Sequence, residues 1–145
     1  MIVRTDEEIA VIARAWLGTP FVHQASMKGQ GADCLGFVRG VWQEVHADRA
    51  IPKMDYAPHW FEQTCEERLL DGLSNYLSIC PNAEISSGRI LLFRLFRKYP
   101  AQHVGLSLSG AANKLTLIHS IAGKGVVEVP MSKNWQARLV AQFRI

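Results

Sequence analysis

Cys34 stands in the segment Asp33-Cys34-Leu35-Gly36-Phe37-Val38, and two histidines, His103 and His119, fall in consecutive alternating segments further on. One cysteine and two histidines are enough for a thiol hydrolase. The thiolate is the nucleophile, and a free thiol, with a pKa of about 8.5, is mostly protonated at neutral pH. Two kinds of help are available here. The positive end of a helix dipole favours the anion, and a nearby imidazole can take the proton and later hand it to a leaving amine. This assigns Cys34 as nucleophile and His103 as base and acid. A histidine in that role needs its other ring nitrogen oriented, and His119 supplies the acceptor in the right tautomer. The backbone N–H of Cys34, unpaired at a helix start, is a donor for the oxyanion.

These roles require particular elements. Asp33 reads as an N-cap, with a helix beginning at Cys34. Cys34, Val38, Val41, Trp42 and Val45 then share one inward stripe, with the cysteine at its exposed end. Gly36 and Gly40, four residues apart, read as points of close packing. Upstream, Thr5-Asp6-Glu7-Glu8 is a capping box for a helix from about Asp6 to Leu17, stopped by Gly18-Thr19-Pro20. A loop follows from Phe21 to Ala32. Residues 46–60, with Pro52 and Pro58, read as a crossing loop, and 61–78 has helical spacing. Cys80-Pro81-Asn82 ends that element.

The second half is strand-like. Arg89 to Phe96 is an apolar run, and His103 to Ser109 alternates. Val104, Leu106 and Leu108 fall on one face; His103, Gly105 and Ser107 fall on the other. Gly110 to Asn113 is a turn, and further strands are expected at Leu115–Ile121, Val126–Val129 and Ala137–Phe143. A turn centred on Ala111 places His103 directly opposite His119. Helices first and an antiparallel meander after make an α+β fold, with residues 1–145 as a single domain.

Composition narrows the classes. The 145 residues are 48% hydrophobic and 20% charged, with a formal net charge of +3, ordinary for a globular domain. The Lys and Arg residues are scattered, so no nucleic-acid partner is expected. No apolar run is long enough to span a bilayer. The N-terminus has early acids and no apolar h-region, so synthesis in the cytoplasm without a signal peptide is expected. The three cysteines include no CxxC or CxxH spacing. A zinc hydrolase stays open only through Cys34, His103 and His119 as ligands; the expected set of metals and cofactors is none. Cys65 and Cys80 read as small buried apolar residues, and His46 and His59 as surface residues.

Five segments, in order, resemble the NlpC/P60 family of cell-wall cysteine peptidases. Gly18-Thr19-Pro20-Phe21 is similar to its GTPY lead-in, and Asp33 to Val38 to its DCSGLV nucleophile motif. Ile90-Leu91-Leu92-Phe93 resembles GDLLLF, His103-Val104-Gly105-Leu106 resembles HVGIY, and Ile118-His119-Ser120 resembles FIHAS. A phage and gene-transfer-agent branch of the family is closer still. His23-Gln24-Ala25-Ser26, Asp33 through Trp42, Asp55-Tyr56-Ala57-Pro58 and Val126-Val127-Glu128 follow its pattern.

The resemblance implies a permuted papain-like fold, with N-terminal helices packed on an antiparallel sheet, and no metal or organic cofactor. It implies the same roles for Cys34, His103 and His119. The substrate would be the peptide stem of peptidoglycan, often between D-glutamate and the diamino acid. Phage-tail proteins would be partners, with a particle carrying the enzyme to the periplasmic wall to aid DNA entry. Phe21, His23 and Asp33 are the expected substrate-binding residues; Gly29, Gly31, 46–60 and 97–102 are expected to border the cleft. Two positions depart from the family. Phe21 replaces a tyrosine whose hydroxyl assists near the oxyanion, with His23 as a substitute, and Arg89 replaces an aspartate. A structural tail-hub component with a vestigial site, and an amidase or acyltransferase on the same fold, are the alternatives.

Overall fold

The structure, a computed structural model, describes residues 4–49, 51–81 and 84–145. Met1, Ile2 and Val3 of the N-terminal lead, Ala50 of the crossing loop and Asn82 of the expected helix stop lie outside the described residues.

Helix α1 spans Asp6–Arg14 and opens on the expected box: Glu8 N–H donates to Thr5 Oγ1 at 3.1 Å, and Thr5 N–H to Glu8 Oε2 at 2.8 Å. It stops short of Leu17. Gly18 takes a left-handed φ of +84°, and the chain swings out to pair with Val126 through Gly18 N–H and Thr19 O. A two-stranded ribbon follows, β1 (Ser26–Met27) and β2 (Gly31–Ala32). Helix α2 spans Cys34–Val45, with Asp33 as its cap.

Both α2 glycines mark close approaches. A Cβ on Gly36 would lie 1.8 Å from the Ala25 carbonyl oxygen, and one on Gly40 would lie 2.2 Å from the Trp16 ring. The cap and the lead-in loop are thus pressed together at the start of α2.

The expected helix over 61–78 breaks in two. Trp60–Gln63 is a short 3₁₀ turn, Thr64 is extended, and α3 runs only Arg68–Tyr76. Leu69, Leu73 and Leu77 carry the buried stripe, while Phe61 turns to ring contacts with Phe96 and Tyr99. Cys65 falls in the break and is exposed, and Cys80 is half-buried; neither is the core residue expected.

Strands β3 (Ile79–Cys80), β4 (Arg89–Phe93), β5 (His103–Ser109), β6 (Leu115–Ile121), β7 (Gly125–Pro130) and β8 (Leu139–Arg144) form one antiparallel sheet in the order β3-β8-β4-β5-β6-β7. A short helix α4 (Lys133–Ala137) precedes β8. The mix of helices and antiparallel sheet is the fold class expected. β4 ends three residues early, and neither α4 nor β3 has a clear signal in the sequence.

One face of the sheet meets α2. Val38, Val41 and Val45 join Val104, Leu106, Leu108 and Ile118 in one buried cluster. Each such side chain, fully buried, contributes about 1.5–3 kcal/mol. The other face carries Leu91, Phe93, Leu117 and Met131, with Trp135 packed against them. Alternation puts His103 and His119 on this second face.

Candidate active site

The two histidines meet, in a different register from the one expected. The β5–β6 turn centres on Ala112, whose φ of +56° is left-handed, and Leu106 pairs with Ile118. Continued along the ladder, this places His119 opposite Gly105 rather than His103. A slip of two keeps both imidazoles on one face, because side chains alternate with period two. The histidines are therefore diagonal neighbours. A Cβ on residue 105 would lie 3.0 Å from His119 Cβ, so the glycine clears the space the His119 ring crosses. His103 Nε2 and His119 Nδ1 are 2.7 Å apart, a hydrogen bond within a buried pair.

Trp135 closes over this pair. Its ring is tilted 31° to that of His103 at 5.8 Å and stands edge-on to that of His119 at 5.0 Å. Sequence reasoning missed Trp135, because the half-exposed residue sits in a five-residue helix with no amphipathic stripe.

The start of α2 comes to the head of β5. Asp33 is buried, and its carboxylate accepts from Gly36 N–H at 2.8 Å and Gln24 N–H at 2.7 Å. Ser120 donates to Ala32 O at 2.7 Å, tying β6 to the peptide before the cap. Ala32 N–H in turn donates to Pro20 O at 2.9 Å. The Cys34 sulfur lies among the backbone N–H groups of Val104, Leu35 and its own residue, which stabilise a thiolate.

Burial outweighs that help. Desolvation, with the Asp33 charge added, pushes the Cys34 thiol up to about 12. Burial, and for His103 the His119 ring, hold both imidazoles well below the ordinary histidine value. The resting groups are a neutral thiol and neutral imidazoles.

A cleft of about 730 Å³ opens over these groups. Cys34, His103, Phe21, His23 and Asp33 line it together, and His119 sits behind His103 outside the lining. The 54–64 segment, Phe96 and Gln102 form much of the rest, whereas Gly29 and Gly31 stand away from it. His59 is exposed at the rim, and His46 is half-buried against Trp42 rather than a simple surface residue. Tyr56 was noted in the sequence only as part of Asp55–Pro58, with no role. Its hydroxyl donates to Asp33 Oδ2, beside the thiol. Arg89 lies away from the cleft, its N–H bonded to Ser107 Oγ at 3.0 Å.

Among the described residues, no three His, Cys, Asp or Glu side chains are grouped to hold a metal ion, and no helix is long and apolar enough to cross a membrane.

A profile described as the NlpC/P60 family matches residues 18–144. Solved structures agree. The NlpC/p60 domain of the peptidoglycan hydrolase SagA aligns over 98% of this chain and 100% of its own, with 20% identity and a TM-score of 0.66. An NlpC/P60 family protein from Bacillus cereus aligns over 99% of this chain and 41% of its own, with 18% identity and a TM-score of 0.68. A lipoprotein-like NLP/P60 family protein from Staphylococcus aureus aligns over 100% of this chain and 42% of its own, with 17% identity and a TM-score of 0.64. The chain thus spans about two fifths of the last two. No curated protein matches.

Proposed function

The chain belongs to the NlpC/P60 family, and we propose that it is a cysteine endopeptidase of peptidoglycan stem peptides, with Cys34 as nucleophile, His103 as base and acid, and His119 as the orienting residue. The observation that carries this reading is a thiol at a helix start sharing one cleft with His103, whose far nitrogen is held by a second histidine.

The geometry supports a definite sequence of events. His103 Nε2 and His119 Nδ1 share a hydrogen bond; the proposed tautomer has His103 donating it, which leaves His103 Nδ1 as the nitrogen for the thiol. As the sulfur attacks the peptide carbonyl carbon, its proton passes to His103 Nδ1. This couples the two charges at the moment they form, so neither burial penalty is met alone. The Cys34 N–H, at the start of α2, stabilises the oxyanion. Collapse breaks the C–N bond and His103 gives its proton to the departing amine. Water then attacks the thioester, losing a proton to His103, and the thiol is restored.

The finer reading is a tail-associated enzyme that opens the wall locally, after synthesis in the cytoplasm and carriage by a particle. It is supported by His23–Ser26 and Asp55–Pro58, which follow the pattern of the phage and gene-transfer-agent branch. The bond assigned is the one between D-glutamate and the diamino acid.

The deciding experiment incubates purified protein with Gram-negative sacculi beside Cys34→Ala and identifies released muropeptides by mass spectrometry. New fragments absent from the variant establish the peptidase and name the bond. Equal release from both proteins, or none from either, rejects it.

A further inference from the structure

The two segments that the proposed chemistry leaves unused, His23–Ser26 and Asp55–Pro58, meet at the nucleophile. His23 and Tyr56 are 33 residues apart in sequence, yet His23 Nε2–H donates to the Tyr56 carbonyl at 2.9 Å, and the two rings stand edge to face at 5.2 Å. From the same residue, the Tyr56 hydroxyl reaches Asp33 Oδ2. Arg39 of α2 adds a third tie, Nε to the Ile51 carbonyl at 3.3 Å. Residues 51–58 have no helix or strand, apart from a turn beginning at Pro58. They are an irregular strap, and these ties fix it so that Met54–Pro58 line the cleft.

The placement of the hydroxyl is informative. Asp33 caps α2 through Oδ1, and its Oδ2 already accepts from Gln24 N–H. A cap needs no third donor. Its carboxylate is also a negative charge next to a sulfur that must become negative. A donor on Oδ2 draws charge from that carboxylate. Asp33 of the cap and Tyr56 of the strap interact with Cys34 by charge, Arg39 of α2 acts on Tyr56, and His103, His23, Asp55, His59 and Arg68 are the other charged or titratable groups lining the cleft. Tyr56 and Cys34 are close enough for their charges to interact, and burial together with Asp33 keeps the phenol protonated far above its ordinary range. The donor therefore stays a donor at every working pH.

We propose that Tyr56 is a positioning residue for Cys34: its hydroxyl restrains and partly neutralises Asp33 at the nucleophile's helix start, and His23 clasps the strap that carries it. The device rests on the reading of Cys34 as nucleophile, but its test does not need substrate cleavage. It gives His23 a role other than substrate binding, and it supplies from residue 56 a hydroxyl that Phe21 cannot provide.

The test is the rate of Cys34 alkylation by iodoacetamide from pH 6 to 10, read by mass spectrometry of the Cys34 peptide. Tyr56→Phe keeps the ring and removes one oxygen. Expected is a roughly tenfold slower reaction at neutral pH and a profile displaced to higher pH, with the thermal midpoint little changed. His23→Ala, at an exposed position, should slow alkylation about threefold in the same direction. Should Tyr56→Phe fail to fold, His23→Ala alone decides. Folded variants with wild-type rates and profiles would reduce Tyr56 to a packing residue and overturn the proposal. Sacculus cleavage is measured alongside. A wild-type protein that cleaves nothing, yet shows both alkylation effects, rejects the peptidase reading and keeps this one.

Discussion

The two walls of the cleft are built from different material. One wall is the start of α2 with the head of β5 and the end of β6, where backbone ladders and buried side chains fix each group: Asp33, His103 and His119 are all buried. The other wall is Met54–Pro58 of the strap, the 3₁₀ turn Trp60–Gln63 and the loop bearing Phe96, held by a few side-chain ties and ring contacts. Each wall suits a different task. Proton transfer and attack tolerate little displacement, and the proposed mechanism puts both on the wall fixed by ladders and burial. Choice of substrate can be altered without disturbing that chemistry, and in the same proposal it falls to the loop wall.

The sharpest break of this division is at His119, which touches no cleft surface. With His119→Ala, His103 loses the partner of its Nε2 and is free to take the wrong tautomer. Cleavage turnover should fall about 10²–10⁴-fold, the range of a lost general acid–base contribution, with KM nearly constant. A variant within threefold of wild-type turnover removes His119 from the proposed mechanism. Next is Gly36→Ala, whose Cβ meets the backbone of Ala25 rather than a yielding side chain. Overpacking of this kind costs about 1–3 kcal/mol or more. The thermal midpoint should drop by several degrees, with alkylation of Cys34 disturbed as the cap shifts. An unchanged midpoint would show that the lead-in loop moves freely and that this wall is not rigid.

The neutral resting site of the rigid wall leaves a signature in stability against pH. The Cys34 thiol is raised from 9.0 to about 12, so above pH 9 the unfolded chain releases a proton that the folded chain keeps, and stability falls as pH rises toward 12. Both imidazoles are lowered from 6.5, so below that pH the unfolded chain binds protons that the folded chain refuses, and stability falls as pH drops. The thermal midpoint should be flat between about 6.5 and 9 and decline on both sides. Cys34→Ala should remove this cysteine's share of the alkaline decline and leave the acid one. An identical alkaline limb in the variant contradicts a buried neutral thiol.

The same division explains what could be read from the sequence. β5 and β6 were expected within their observed bounds, and Cys34 at the start of α2 under an Asp33 cap, because capping and alternation are local rules. The hairpin register was expected two residues away from the one observed. The left-handed backbone at Ala112 and Asn113 widens the turn, and no glycine marks either position. Parity protected the pairing of the histidines all the same. Tyr56 and Trp135 had no such protection. Their places depend on tertiary contacts of an irregular strap and of a helix too short to show a period. The segment 61–78 misled for a related reason: Phe61 and Cys65 continue a helical spacing that Thr64 interrupts, and Phe61 spends its ring on the cleft instead of the core.

The loop wall makes the complementary and smallest prediction. Phe61 and Phe96 stack at 6.3 Å with an interplanar angle of 19°, and Phe96 is 52% exposed although it is large and apolar. Both line the cleft, and neither carries a titratable group. Aromatic contacts of this kind contribute about 0.5–1.5 kcal/mol beyond the area they bury, up to roughly a tenfold change in an equilibrium constant. Phe96→Ser should therefore raise KM for a soluble stem peptide severalfold, lower the thermal midpoint slightly through loss of the Phe61 and Tyr99 ring contacts, and leave turnover and Cys34 alkylation close to wild type. That pattern is loss of uniform binding, because the removed contact is equally strong in ground and transition states. A fall in turnover or alkylation would join the two walls into one mechanical unit, since a ring with no place in the proton path would then be steering it.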